Sequence, residues 1–160
     1  MQAKKKQKGF SLIELLIVVA IILIIASIAI PNLLRAKINA NETSAVGSIR
    51  AINSAMIQYV SVYPTVGYPT SLSQLGGTSC APPSPASACL IDTQLASGNK
   101  SGYTFTLAVS GTPPSAYQVI GTPTVANQTG IRYFCSFTDS VIRSSVTPIA
   151  SCDYTTTPLQ

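Results

Sequence analysis

The distribution of apolar residues separates the beginning of the chain from the rest. A basic stretch with Lys4, Lys5, Lys6 and Lys8 precedes an apolar run over residues 10–30. Fifteen of these 21 residues are Phe, Leu, Ile or Val. As a helix the run would be about 31 Å long, which matches the hydrocarbon thickness of a bilayer. The pattern therefore predicts a membrane-spanning helix.

One acid, Glu14, interrupts this run near its start. The apolar residues favour insertion by roughly −5 to −9 kcal/mol, whereas a central acid would cost about 2.5 to 3.5 kcal/mol. The segment is therefore expected to insert despite Glu14. A cleaved secretory signal has a shorter apolar region of about 7–15 residues. An ordinary membrane anchor would explain the length and the lysines, but it would not explain the acid.

A second, amphipathic pattern follows the apolar run and predicts that the helix continues to about Tyr63. Pro31 lacks a backbone donor, so a kink is expected there, although Pro31 could instead end the membrane helix. After it, apolar residues recur at spacings of 3, 4 and 7, which is typical of a helix with one buried face. This predicted stripe consists of Ile38, Ala45, Ile49, Ile52, Met56, Val60 and Tyr63.

The remainder of the chain has the composition of a small β-sheet domain with loops. Pro and Gly residues end the helical pattern after residue 62, and residues 71–75 could form one helical turn. Alternating or apolar runs then predict three or four antiparallel strands. These runs are 103–109, 116–121, 131–137 and 140–145, and residues 78–99 are expected to be an irregular surface loop. The predicted fold class is α+β, with a long N-terminal helix packed on a small antiparallel sheet.

Charge gives little reason to expect a nucleic-acid partner. The chain has ten basic and five acidic residues, but four of the ten are the lysines at positions 4–8. The six that remain exceed the five acids by one, so the rest of the chain is close to neutral. The basic N-terminus therefore indicates membrane topology, with the lysines on the cytoplasmic side.

The four cysteines all follow the apolar run, which suggests two disulfides in an oxidising compartment. Three connectivities are possible, and short loops favour Cys80–Cys89 with Cys135–Cys152. The spacings and the absence of His argue against zinc.

No catalytic constellation is recognisable in the sequence. The chain has no His and no Gly-rich phosphate loop, and no base is placed to activate a Ser or Thr. Glu42, Asp92, Asp139 and Asp153 are expected to be scattered singly. The sequence predicts neither enzyme activity nor a cofactor.

The segment KGFSLIELLIVVAIILIIASIAIPN resembles the N-terminus of a type IV pilin or related pseudopilin precursor. The resemblance is close over about residues 4–35. It implies cleavage between Gly9 and Phe10 by a membrane aspartic prepilin peptidase, N-methylation of Phe10, and a need for Glu14 in assembly. The Cys135–Cys152 loop also resembles the C-terminal disulfide loop of pilin heads.

Physical chemistry suggests a role for Glu14 in such a chain. Cleavage would create an α-amine on Phe10 that is largely charged at neutral pH. Glu14 lies four residues on, about 6 Å further along the same helix face. A neighbouring helix shifted by that distance would bring its amine to this carboxylate, so Glu14 could set the register. Alternatively, Glu14 pairs with the amine of its own chain or is protonated and idle.

The expected organisation is a leader (1–9), a long helix (10–63, with 10–30 transmembrane before assembly) and a disulfide-containing head (64–160). The expected function is a structural subunit of an extracellular type IV pilus. Its precursor would lie in the inner membrane, and its partners would be other pilin subunits, the prepilin peptidase, and an inner-membrane assembly platform with its ATPase. The alternatives are a type II secretion pseudopilin, a minor pilin, or a membrane-anchored binding module that does not polymerise.

Overall fold

A computed structural model of the chain describes residues 10–77 and 80–159. The predicted leader, including Gly9, lies outside the described residues. The chain divides into two compact units, Met1–Ala36 and Lys37–Gln160. Within the described ranges the elements are α1 (Leu12–Val62), α2 (Leu72–Leu75), α3 (Thr93–Ala96), β1 (Asn99–Lys100), β2 (Tyr103–Ser110), β3 (Ala116–Pro123), β4 (Tyr133–Phe137) and β5 (Arg143–Ser145). The predicted α+β class is confirmed.

Helix α1 continues through Pro31, so the alternative in which this proline ends the helix is wrong. A proline inside a helix removes one bond, here the one that its N–H would donate to the carbonyl of Ser27. The residues on both sides of Pro31 are helical, so the helix continues despite the missing hydrogen bond. The predicted kink at Pro31 stays a prediction.

The second half of α1 supplies one side of the core of the head unit. Ile38, Ala45, Ile49, Ile52 and Met56 are buried as the stripe predicted, whereas Val60 and Tyr63 are half-buried. The predicted stripe omitted Tyr59, which is completely buried. Its ring packs 5.0 Å from that of Tyr63, and its hydroxyl donates to the carbonyl of Pro85 at 2.8 Å.

The other side of this core is an antiparallel sheet in the order β1-β2-β3-β4-β5. The expected alternation in β2 is confirmed, because Tyr103 and Phe105 are buried and Leu107 and Val109 are half-buried between exposed neighbours. The sheet has five strands, whereas three or four were predicted. The additional strand, β1, has two residues and is too short to show a pattern.

Two strands begin later than predicted because their first N–H groups have other partners. The predicted strand 131–137 starts at Tyr133, since the N–H groups of Ile131 and Arg132 donate to Glu42. The predicted strand 140–145 starts at Arg143, since the preceding residues form a turn.

The segment 78–99 is not wholly irregular, which corrects that prediction. It contains α3, whose N-cap Asp92 accepts a hydrogen bond from the Leu95 N–H at 2.9 Å. The single helical turn expected over residues 71–75 is present as α2.

Covalent and hydrogen bonds tie the loops to the sheet. Disulfides join Cys80 to Cys89 and Cys135 to Cys152, which is the connectivity that the short loops favoured. The C-terminal tail also returns along β5, where the Ser144 N–H donates to the Thr157 carbonyl at 2.9 Å.

Candidate functional site

The N-terminal part of α1 presents an almost continuous apolar surface. Phe10 is 81% exposed and Leu12 80% exposed. The large apolar side chains from there to residue 30 are all exposed as well. By length and composition, α1 is the one helix in the described part of the chain that could cross a membrane. Such a surface is stable only in lipid or against other apolar protein.

Glu14 lies in the first turn of α1, where it caps the helix. Its Oε2 accepts a hydrogen bond from the Ser11 N–H at 2.9 Å. The N–H groups of Glu14 and Leu15 both donate to the Ser11 carbonyl, at 3.1 and 3.3 Å. Ser-Leu-Ile-Glu matches the sequence of a capping box, and this contact is the half in which the acid reaches back to the N-cap. The negative carboxylate is also stabilised by the positive end of the helix dipole.

This contact is neither of the two ion pairs considered from sequence. In the described chain Glu14 is exposed and bound to a backbone N–H, and its other oxygen has no hydrogen-bond donor. Phe10 directly precedes Ser11, so an amine formed at Phe10 would lie close to this helix start. The first turn thus brings together an exposed carboxylate and the residue expected to carry the new amine.

The remaining predicted site residues lie elsewhere. Pro31 is inside α1, and the four cysteines form the two disulfides of the head. No group of three or more His, Cys, Asp or Glu residues that could hold a metal occurs among residues 10–77 and 80–159.

Sequence reasoning missed an ion pair that links α1 to the head. Glu42 is buried, and its Oε1 accepts hydrogen bonds from the N–H groups of Ile131 and Arg132 at 2.9 and 3.0 Å. Its Oε2 accepts from Nε of Arg132 at 2.7 Å. The sequence did indicate a buried acid here, because Glu42 follows Ile38 by four residues and precedes Ala45 by three. An acid at that position on an apolar stripe requires a buried partner.

The environment of Glu42 keeps it charged. Burial alone would raise the pKa of its carboxyl, but the Ile131 and Arg132 N–H groups and the Arg132 guanidinium together outweigh burial and lower the pKa. The pair therefore fixes the loop before β4 against the helix.

A second ion pair lies within the loop that the Cys135–Cys152 disulfide closes. Arg143 is 4% exposed, and its two terminal nitrogens donate to the two carboxylate oxygens of Asp139 at 3.1 and 2.6 Å. Its guanidinium carbon lies 4.3 Å from the ring centroid of Phe137 and 5.4 Å from that of Tyr154. Glu42, Asp92 and Asp139 thus each form an ion pair that the sequence did not predict, Asp92 with Lys100 at 2.8 Å.

Comparison with known proteins identifies the N-terminal segment. Residues 4–30 match the family described as "Prokaryotic N-terminal methylation motif". Over 68 residues the chain is 44% identical to the type II secretion system core protein G of Vibrio cholerae, a match that covers 41% of this chain and 47% of that protein. It is 62% identical over 39 residues to the type IV wide pilus major component PilA4 of Thermus thermophilus, covering 24% of this chain and 30% of that protein.

A third relative is the type IV major pilin protein PilA of Myxococcus xanthus, 41% identical over 56 residues that cover 35% of this chain and 26% of that protein. The chain spans less than half the length of each of these three relatives. No solved structure shows significant similarity to the chain. The chain thus carries a prepilin-type methylation motif and is homologous in part to both type IV pilins and secretion core protein G.

Proposed function

We propose that this chain, which carries the prepilin-type N-terminal methylation motif, is a structural, non-enzymatic subunit of an extracellular type IV pilus filament. The observation that carries the proposal is the exposed apolar surface of residues 10–30 with a single acid in its first turn. This surface is suited first to a membrane and then to a bundle of like helices.

Before assembly the apolar helix holds the precursor in the inner membrane. The lysines at positions 4–8 keep the N-terminus cytoplasmic by the positive-inside rule, and the disulfide-containing head lies on the opposite side. An oxidising compartment on that side agrees with the two disulfides.

Processing then changes the charge at the helix start. Prepilin peptidase cuts after Gly9, and the methylated amine of Phe10 becomes the new terminus. In the free chain the Glu14 carboxylate holds one backbone N–H and is otherwise exposed. It can therefore accept an additional cationic partner without leaving a buried group unpaired.

During assembly the apolar helix leaves lipid and packs against the helices of other copies. Lipid and bundle are similarly apolar, so burial of apolar surface supplies little net driving force. An acid left without a cation in such a bundle is costly, and a paired one is tolerated. Pairing of Glu14 with the Phe10 amine of a neighbouring copy therefore selects the register, while the assembly platform and its ATPase supply the work.

Mass spectrometry of sheared cell-surface material tests this proposal. Trypsin would release residues 10–35 from a processed chain and residues 9–35 from an unprocessed one, because cleavage after Lys8 leaves Gly9 attached. We expect abundant filaments that contain the peptide starting at N-methylated Phe10. Peptide 9–35 in every fraction, without filaments, would establish a simple membrane anchor instead.

A pseudopilin of a type II secretion system is the second candidate, and similarity to secretion core protein G specifically favours it. In that case the methylated peptide would be confined to membranes, and deletion of the gene would block secretion of periplasmic proteins. For a pilus subunit we expect the methylated peptide in sheared filaments, and we expect deletion of the gene to leave secretion of periplasmic proteins unchanged.

A further inference from the structure

A groove lies beside the second half of α1. It has a volume of about 430 Å³ and lies within the head unit. Val46, Gly47 and Arg50 line it from the helix, and Arg132 and Leu159 line it from the remainder of the head. Its walls therefore combine apolar side chains with two arginines.

The packing of the subunit does not require a glycine at position 47. Glycine is among the weakest helix formers, and Gly47 is exposed in the middle of α1. A methyl group added at its Cα would meet no atom within 4 Å apart from its two chain neighbours and the adjacent backbone of its own helix. Since the subunit itself could accept a larger residue here, the missing side chain leaves room for close approach by another molecule.

The groove is positively charged, so it would favour an acidic partner. Arg50 is exposed and forms no ion pair in the described part of the chain. The carboxylate of Glu42 is already occupied by Arg132 and by two backbone N–H groups. The two arginines and one acid leave a positive groove in which an additional carboxylate would be stabilised.

An exposed acid and an exposed aromatic ring lie side by side on the C-terminal loop of the same chain. Asp153 is exposed and accepts hydrogen bonds from the hydroxyl and the N–H of Thr155, which lower its pKa. Tyr154 is 79% exposed, yet its ring is held edge-on against Phe137 at 4.9 Å. The pair is therefore held in one orientation before any partner binds, which favours tight association.

The other acids are already engaged. Of the five in the chain, Glu42, Asp92 and Asp139 have cations within the subunit, and Glu14 has a role in the proposed function. Asp153 is the acid left without an ion pair among the described residues, although its charge adds to the hydrogen bonds with Asp139 in raising the pKa of Arg143. It borders a separate hollow with Arg132, but no ion pair joins these two residues in the subunit.

We infer that the Asp153–Tyr154 tip of one copy docks into the Gly47 groove of a second copy, with Asp153 on Arg50 and the Tyr154 ring over Gly47. In a filament each copy would offer its tip to one neighbour and its groove to another, so the proposed contact is heterologous. A heterologous contact that does not close into a ring generates an open helical polymer. The inference rests on the proposed function and adds a specific contact between heads.

Site-specific photo-crosslinking in assembled filaments tests this contact. Tyr154 is replaced by the photoreactive p-benzoyl-phenylalanine in the full chain, and filaments are irradiated, reduced and digested with trypsin. We expect a dimer in which the peptide starting at residue 144 is joined to peptide 38–50, which contains Gly47 and Arg50. The same label at Val66, an exposed residue of another loop, serves as the control and should not give this product.

Substitutions separate docking from folding. Gly47→Leu should lower the yield of this dimer by about tenfold or more, because its side chain fills the groove. Ala51→Leu, at an exposed position that does not line the groove, should leave the yield unchanged. Arg50→Asp and Asp153→Arg should each reduce the yield of the photo-crosslinked dimer, and the double variant should restore it. For these variants the dimer is quantified on denaturing gels before digestion, because both substitutions change tryptic sites.

The outcomes distinguish this inference from the proposed function. Filaments whose Tyr154 label joins any other peptide, or no peptide of a second copy, would overturn the inference while the pilus assignment stands. Failure of the double charge reversal to restore the dimer would also overturn it. A wild-type chain that is processed but forms no filament would overturn both.

Discussion

Apolar and charged side chains are distributed in opposite ways in the two units. In the N-terminal unit the large apolar residues are exposed and the single acid, Glu14, is bound only to a backbone N–H. The head unit buries a core of large apolar residues, and Glu42 and Arg143 are buried with partners of opposite charge. The head thus pairs its buried charges within the subunit, whereas the N-terminal unit leaves its apolar side chains for another environment.

Because of this difference, we expect substitutions in the two units to affect different properties. Changes in the head should alter its free energy of unfolding and leave membrane insertion unchanged. Changes in the N-terminal unit should alter assembly and leave the unfolding of the head unchanged. Unfolding can be followed in the full chain in detergent by the near-ultraviolet signal of its seven tyrosines, because the chain has no tryptophan.

The largest effect in the head is expected for Arg143→Ala. It removes a buried cation and leaves the Asp139 carboxylate unpaired, so we expect the free energy of unfolding to fall by about 3–5 kcal/mol. Arg143→Lys is the control, since it retains the charge but loses the bidentate contact and should have an intermediate effect. A loss below about 1 kcal/mol for the alanine variant would show that this pair does not organise the head.

Glu42→Gln should cost less and should depend on pH. The amide keeps its shape but loses charge-assisted hydrogen bonds, so we expect a loss of about 1–3 kcal/mol at pH 7. Because the pKa of Glu42 is lowered on folding, its charge stabilises the head above the ordinary value of 4.5. That contribution disappears as the pH falls through the lower pKa of the folded state. Denaturant titrations at pH 7 and in strong acid should show the two proteins converging, and a gap that widens in acid would contradict this account.

The smallest effect is expected for Lys100→Ala, which breaks the exposed pair with Asp92. Exposed pairs contribute less than about 1 kcal/mol, and Asp92 would still cap α3. Asp92→Ala removes the pair and the cap together and should cost about 1 kcal/mol more. Equal losses for both variants would mean that the cap contributes nothing.

The parts of the fold that follow a local period could be predicted from sequence. The long helix, most of its buried stripe and the alternation of β2 reflect residue spacing alone. The disulfide pairing followed from short loops. These features require no knowledge of what lies across the core.

Features that depend on contacts distant in sequence could not be predicted in the same way. Glu42 and Arg132 are 90 residues apart, and their pairing delays the start of β4. The two-residue β1 exists only because β2 pairs with it. In the candidate site, the role of Glu14 was predicted from the charge expected at Phe10, whereas its bond to the Ser11 N–H depends on the geometry of the helix start.

The central claim is that Glu14, besides capping the start of its own helix, is required for assembly. The most direct test compares the amount of Glu14→Ala protein in sheared filaments with its amount in membranes. Ser27→Ala is the matched control, because the Ser27 hydroxyl bonds only the Ile24 carbonyl of its own helix. A neighbouring amine left unpaired in the bundle would cost about 3–5 kcal/mol. We therefore predict that the Glu14→Ala filament fraction falls by about 100-fold or more, with membrane level, cleavage after Gly9 and head unfolding unchanged. Filaments at the wild-type level would contradict the account.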